Sequence, residues 1–172
     1  LIMEKARLMN ESLIKDFRLQ RPKIAVLGIN PHCGDKGVIG TEDDDIVRPA
    51  LKKLYFDENI LVFGPFAADS FFGSQSYRNY DAVLAPYHDQ GLIAFKTIAF
   101  GNGVNYTAGL SKVRTSPDHG TAYEIAGKDI ADPQSFRQAI YTALDVFRNR
   151  EEYAELTKNP LKIRTLELEK DK

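Results

Sequence analysis

The sequence predicts an α/β fold, a mostly parallel sheet with flanking helices. Three observations carry that expectation. Short apolar runs, "KIAVLG" (23–28), "NILVFG" (59–64) and "YDAVLAP" (80–86), recur between segments rich in glycine, proline and charge. Stretches of helical periodicity alternate with them, the pattern of a sheet covered by helices. Two of the runs end in polar loops that carry histidine, and open α/β sheets bind ligands at the carboxyl ends of their strands.

Taken in order, Ile2, Ala6, Met9, Leu13 and Phe17 recur at steps of three and four, one stripe of an amphipathic helix ending near Arg21-Pro22. The run 23–28 reads as a buried strand. "INPHCGDKGVIG" follows, with four glycine or proline residues in twelve, and reads as loop. "TEDDDIVRPALKKL" then begins a helix, with Thr41 a candidate cap, acids at its positive end and Pro49 expected to kink or break it. Residues 59–64 form the next strand, "PFAADSFFG" a turn and short helix, and 80–86 a third strand. "QGLIAFK" suggests a short helix and "GVNYTAG" (103–109) a fourth strand. "RTSPDHGTAYEIAGKDIADP" is a polar segment long enough to suggest function. A helix with Phe136, Ile140, Leu144 and Phe147 on one face runs from 132 to about 153, and the charged tail "NPLKIRTLELEKDK" is expected to fray. No internal repeat or low-complexity tract interrupts the chain.

The 172 residues suffice for one domain or part of a larger unit, burying about 70% of the unfolded surface. Hydrophobic residues make up 43% and charged residues 27%, as in ordinary globular proteins. A net charge of −1 supplies no basic field for nucleic acid or an anionic membrane. No apolar run approaches the roughly 18 residues of a membrane span. The single cysteine, Cys33, rules out an intrachain disulfide and fits a reducing, cytoplasmic setting. The chain starts at Leu1, which suggests a fragment of a longer protein.

The candidates for chemistry cluster after the apolar runs. His32, His88 and His119 each lie in a glycine-containing loop, none on the apolar face of an expected helix. A zinc-type site needs three or four ligands, so His32 and His88 could form part of one only through the fold. Asp89, Asp69 and Cys33 are possible further ligands that spacing does not select. Lys96, Lys112 and Arg114 are the nearest cations; they are either solvated charge or holders of a phosphate or carboxylate. Asn105, inside an apolar strand, is expected to be buried and so to need a backbone or ligand partner. Asp69 could be a helix N-cap instead of a site residue. No Walker A loop, dinucleotide fingerprint or nucleophile triad is present.

The series "GINPHCGDKGVIGTED", "GPFAADSFF", "DAVLAPYHDQGLIAFK" and "GVNYTAGLSKVRTSPDHGTAYEIAGK" closely resembles the 4-hydroxythreonine-4-phosphate dehydrogenase family of pyridoxal phosphate biosynthesis, over residues 23–144. The resemblance implies a two-domain α/β/α enzyme akin to isocitrate and isopropylmalate dehydrogenases, of which residues 1–172 would be the C-terminal portion. It implies NAD-dependent oxidation and decarboxylation of a small phosphorylated amino acid by a cytoplasmic homodimer with a shared active site. A divalent metal (zinc, magnesium or cobalt) would be held by His32 and His88, with a third histidine upstream of Leu1 and His88 serving the partner subunit's site. Lys96, Asn105 and Arg114 would hold substrate, and Asp69 would lie near the reacting centre. His119, Gly120 and Ile125 would lie near the NAD adenosine. The same residues leave open a dehydrogenase of a related sugar-acid phosphate (threonate or erythronate type), a phosphate acyltransferase-like enzyme, or a chain inactive by itself.

Overall fold

Strand β1 (Ile24–Leu27) is buried at every position, which explains why its run is apolar throughout rather than alternating. A computed structural model of the chain describes residues 1–99 and 101–161. In it β1 lies between β2 (Val62–Phe66) and β3 (Ala82–Leu84), parallel to both, in the order β2-β1-β3. Successive side chains of β1 point to opposite faces. Ile24 and Val26 join Leu51, Leu54 and Ala6 in a core beneath α1 (Ile2–Lys15) and α2 (Arg48–Glu58). Ala25 and Leu27 meet Phe71 of α3 (Ala68–Gly73) on the other face, ringed by Phe66, Phe72, Tyr77 and Tyr80. The expected α/β architecture is present: a parallel sheet between helices.

Local chemistry explains the element ends. The second helical segment opens as a wide π-turn, Asp43–Val47, and tightens to α-helix at Arg48; Pro49 sits in that first α-turn, where its missing N–H is harmless. Thr41 does not cap with its side chain; its carbonyl accepts the Asp44 and Asp45 N–H groups. Strand β2 bulges against β1 between Ala25 and Leu27. There Gly64 adopts φ 137°, and a Cβ would stand 2.3 Å from the Val26 carbonyl oxygen, so no larger residue fits.

Several expectations are corrected. Helix α1 ends at Lys15, not near Arg21, because the chain turns at Arg18 with φ 61°. The fourth strand, β4 (Val104–Tyr106), leaves the parallel sheet and pairs antiparallel with β5 (Thr115–Pro117), a strand inside the segment read as loop. Helix α5 (Gln134–Thr157) packs on this ribbon through Ala139, whose carbonyl accepts the Thr115 hydroxyl at 2.8 Å. Its buried residues are Ala139 and Val146, while Phe136, Ile140, Leu144 and Phe147 stand about half exposed. Most of the charged tail falls outside the described residues.

A buried ionic network ties the ribbon and α5 to α1. Asp16, 2% exposed, accepts from Arg150 Nε at 2.6 Å and Nη2 at 3.0 Å, and from the Tyr106 hydroxyl. Arg150 also donates to the Leu110 carbonyl at 3.0 Å, and Asn149 to the Asp16 carbonyl at 2.8 Å. Burial pushes the Asp16 carboxyl up, but the hydrogen bonds from Arg150 and Tyr106 outweigh it and hold the group below the usual aspartate range. Arg150 is correspondingly raised by Asp16.

Removing one partner leaves a buried charge alone. Arg150→Met is therefore expected to destabilise the fold by about 3–5 kcal/mol in urea unfolding. The pH dependence has a fixed sign: the native Asp16 carboxyl is more acidic than the unfolded one. Its stabilisation is complete above the unfolded value of about 3.9 and is lost as pH falls through the lower native value. Stability measured from pH 6 downwards, expressed as the difference between wild type and the variant, should shrink across that acidic window. A constant difference would overturn the assignment.

Candidate functional site at the carboxyl end of the sheet

Where β1 ends, the backbone is still partly buried and its polar groups need partners. The Gly28 N–H still pairs with the Phe66 carbonyl at 2.8 Å. The next two donors have no strand to meet. The Ile29 and Asn30 N–H groups donate to the two carboxylate oxygens of Asp43, at 2.8 and 2.9 Å. Asp43 is completely buried. Asn30 Nδ2 also donates to Glu42 at 2.6 Å, which holds the Glu42 carboxyl below its usual range.

From this anchor the chain turns through a left-handed run: His32, Cys33, Gly34, Asp35 and Lys36 all have positive φ, between 44° and 87°. Left-handed backbone costs a non-glycine residue roughly 1–2 kcal/mol, so surrounding contacts must enforce it. Gly34 is the tight point, where a Cβ would stand 2.2 Å from the Gly40 carbonyl oxygen. Cys33 packs against Gly28; burial and then the Asp43 carboxylate push its thiol up, away from the reactive thiolate. His32 is left exposed at the start of this run.

Across from this loop, α4 (His88–Ile98) begins directly after β3. His88 is thus the first residue of a helix, not a loop residue, and Lys96 lies in that helix's last turn, not in a shared loop. The helix was legible in "QGLIAFK", but its start was not, because neither Tyr87 nor His88 is a usual cap residue. Gln90 sets the start: its Oε1 accepts the Tyr87 N–H at 3.2 Å and its Nε2 donates to the Gly28 carbonyl at 3.0 Å. His88 Nδ1 lies 2.8 Å from Asp89 Oδ1, with both side chains about 80% exposed.

A cleft of about 540 Å³ opens between these elements, lined by Asn30, Pro31, His32, Asp69, Tyr87 and Gln90. Asp69 enters it from the first turn of α3; the residue at the N-cap position is Ala67, so Asp69 does not cap. A second groove of about 460 Å³, between α3 and α4, shares Ala68, Asp69 and Gln90 with the first. His32 and Asp69 are therefore brought together, with the His88 turn beside them. Among the described residues, no group of three or more His, Cys, Asp or Glu side chains is placed to hold a metal ion.

The expected anion-holding residues gather elsewhere. Tyr106 pairs with Thr115, and the Thr107 N–H donates to the Arg114 carbonyl at 3.1 Å. By alternation, Asn105, Thr107, Arg114 and Ser116 share the ribbon face turned away from α5. Asn105 is exposed there, contrary to the expectation of a buried amide, because among the described residues nothing covers that face of the two-stranded ribbon. Arg114 Nη1 donates to Thr107 Oγ1 at 2.8 Å, and Lys96 Nζ lies 3.9 Å from Asp118, just past β5. His119 and Gly120 are exposed and Ile125 is half-buried, all in the segment between β5 and α5.

Asp43 and Gln90 were not singled out from the sequence. "TEDDD" reads as acids at a helix start, and nothing in three consecutive aspartates tells which one turns inward. Gln90 stands three residues after Tyr87, half of a capping box whose Ser or Thr half is missing.

The sequence model of the family described as pyridoxal phosphate biosynthetic protein PdxA matches residues 1–143. A 4-hydroxythreonine-4-phosphate dehydrogenase of Bacteroides thetaiotaomicron is 53% identical over 162 residues, covering 94% of this chain and 44% of that protein. The crystal structure of a 4-hydroxythreonine-4-phosphate dehydrogenase from Klebsiella pneumoniae superposes with a TM-score of 0.70 at 38% identity, over 84% of this chain and 44% of that one. That of a terephthalate 1,2-cis-dihydrodioldehydrogenase from Burkholderia xenovorans superposes with a TM-score of 0.63 at 32% identity, over 84% and 45%. The chain thus spans less than half the length of the relatives it matches.

The geometry of the His32 turn predicts that Gly34→Ala destabilises by about 1–2 kcal/mol from the left-handed conformation alone, and more from the clash with Gly40. Thermal unfolding measures the loss. Amide exchange should rise first across residues 29–40; exchange rising equally in β1 would refute a local effect.

Proposed function

Since the chain belongs to the PdxA family of pyridoxal phosphate biosynthetic proteins, we propose that it forms part of an NAD-dependent dehydrogenase acting on 4-phosphohydroxy-L-threonine. The reaction is oxidation and decarboxylation to 3-amino-2-oxopropyl phosphate. The observation that carries the reading is the cleft at the carboxyl end of the sheet, lined by His32 and Asp69 and bordered by the first turn of α4.

The donor chemistry there fits a divalent metal. Ligating histidines usually engage their second ring nitrogen with a carboxylate, and the contact of His88 Nδ1 with Asp89 leaves Nε2 free. His32 is exposed on its loop and able to bind. In our reading His88 serves the site of a partner subunit, and a further histidine comes from the part of the full-length protein that the longer relatives contain. A divalent cation bound there would act as a Lewis acid that lowers the pKa of a substrate hydroxyl. Nicotinamide would supply the hydride acceptor.

The chain's own residues bind and orient. Arg114, with its fork of donors, and Asn105 share the open ribbon face and would hold the phosphate; Lys96 at its margin would add a point charge. Fixing the anionic end orients the carbon that gives up hydride. Asp69 stands in the cleft as a carboxylate able to take a proton. His119, Gly120 and Ile125, on the exposed segment before α5, would receive the adenosine. The assembly is read as a cytoplasmic homodimer; among the described residues, no helix is long and apolar enough to cross a membrane.

A second reading is a dehydrogenase of a related sugar-acid phosphate; the Burkholderia xenovorans neighbour, named for a dihydrodiol, supports it only in that the same fold serves a different dehydrogenase substrate. Full-length protein incubated with NAD and each substrate decides between them. NADH is expected from phosphohydroxythreonine and is expected to vanish with chelator. Turnover of the threonate phosphate alone would establish the second reading, and NAD-independent activity surviving chelation would favour an acyltransferase. Arg114→Ala should raise KM for the phosphorylated substrate about 10- to 100-fold with kcat changed much less. An unchanged KM would remove Arg114 from the phosphate site.

A further inference from the structure

We propose that Asp43 and Gln90 form a two-sided clamp on the backbone of residues 28–30, and that this clamp is the positioning device for both histidine-bearing elements. The proposal rests on the reading of His32 and His88 as metal ligands. It assigns the control of their placement to two residues that bear no metal themselves.

The clamp takes over where strand pairing stops. The ladder between β1 and β3 ends at the Val26–Leu84 pair. Beyond it the Gly28 carbonyl accepts from Gln90, and the Ile29 and Asn30 N–H groups donate to Asp43. Three consecutive residues thus have backbone groups fixed by side chains from elements far along the chain. A buried carboxylate is costly unless its lone pairs are satisfied. Asp43 is completely buried with a backbone donor on each oxygen, from Ile29 and Asn30, three and two residues before His32.

Gln90 cannot turn over without losing both bonds. Its oxygen faces an N–H and its nitrogen faces a carbonyl, so a flipped amide would oppose like with like. One end of the bridge is Gly28, which leads to His32; the other is Tyr87, the residue before His88. In the dimer proposed above, the bridge ties a ligand of one metal site to a ligand of the other. Slack at Gln90 would loosen both.

The test uses full-length protein stripped of metal and titrated with Co²⁺, reading affinity by calorimetry and coordination geometry by the visible absorption of the bound ion. Gln90→Leu and Asp43→Asn are each expected to weaken Co²⁺ binding about 10- to 100-fold and to alter the spectrum. Metal-free Gln90→Leu should still unfold cooperatively, with a thermal midpoint lowered by only a few degrees, since it loses two hydrogen bonds at a part-buried position. If Asp43→Asn does not fold, Gln90→Leu decides alone. Wild-type affinity and spectrum in Gln90→Leu, with binding abolished in His32→Ala, would overturn the clamp while leaving the metal reading intact. Full affinity in His32→Ala would overturn the metal reading, and the clamp with it.

Discussion

Burial of β1 on both faces is the constraint from which the rest follows. A strand with no exposed position must be apolar throughout, must lie between two partners, and must have a helical layer above and below. β1 meets each condition, with β2 and β3 at its sides, α1 and α2 on one face and α3 on the other. The cost appears at its end. Backbone groups emerging from such a strand are still shielded from water but have no ladder to join. The buried Asp43 carboxylate and the Gln90 amide satisfy them, and the same bonds aim the His32 turn at the cleft.

Polar groups at this end of the sheet therefore serve two purposes. They complete the hydrogen bonding of a buried strand, and they fix exposed side chains without burying them. His32, His88 and Asp69 all remain exposed, while Asp43, which holds the backbone ahead of His32, is buried and Gln90, which holds the backbone ahead of His88, is partly so. This division suits groups that must stay accessible to a ligand. The ribbon works differently: α5 covers one face, and the other presents Asn105 and Arg114 in the open. It is anchored by α5 and by the Asp16–Arg150–Tyr106 network on the covered side.

What could be read from the sequence follows the physics of each signal. The three parallel strands were legible because burial, complete in β1 and partial in β2 and β3, leaves short apolar runs. Helix α1 was legible in its stripe, since Ala6 is fully buried and Ile2, Met9 and Leu13 pack against the same core. The ribbon was not, because β5 is three residues of Thr, Ser and Pro with no apolar alternation. Asn105 was misplaced for the opposite reason: apolar neighbours suggested burial, but a two-stranded sheet always has a face left over. The α5 stripe was seen, yet the buried residues are Ala139 and Val146, because close packing on a ribbon favours smaller side chains at the contact. Within the site, the histidines and Asp69 stood out by residue type, whereas Asp43 and Gln90 act through backbone contacts far along the chain, which spacing cannot show.

The Asp16–Arg150 pair has a consequence for synthesis. Its partners are 134 residues apart, and Tyr106 lies 90 residues beyond Asp16. A ribosome adding residues one by one releases α1 and the three described strands of the parallel sheet before it has made the cation that neutralises Asp16. At ordinary elongation rates that interval is on the order of 10 s. During it the carboxylate lacks its cation, and an unpaired charge is costly to bury, so the end of α1 cannot close over Asp16. The emergence of α5 then lets the ribbon dock and seals the charge. The joint between sheet and ribbon can therefore close fully only once Arg150, the last of its partners along the chain, has been made.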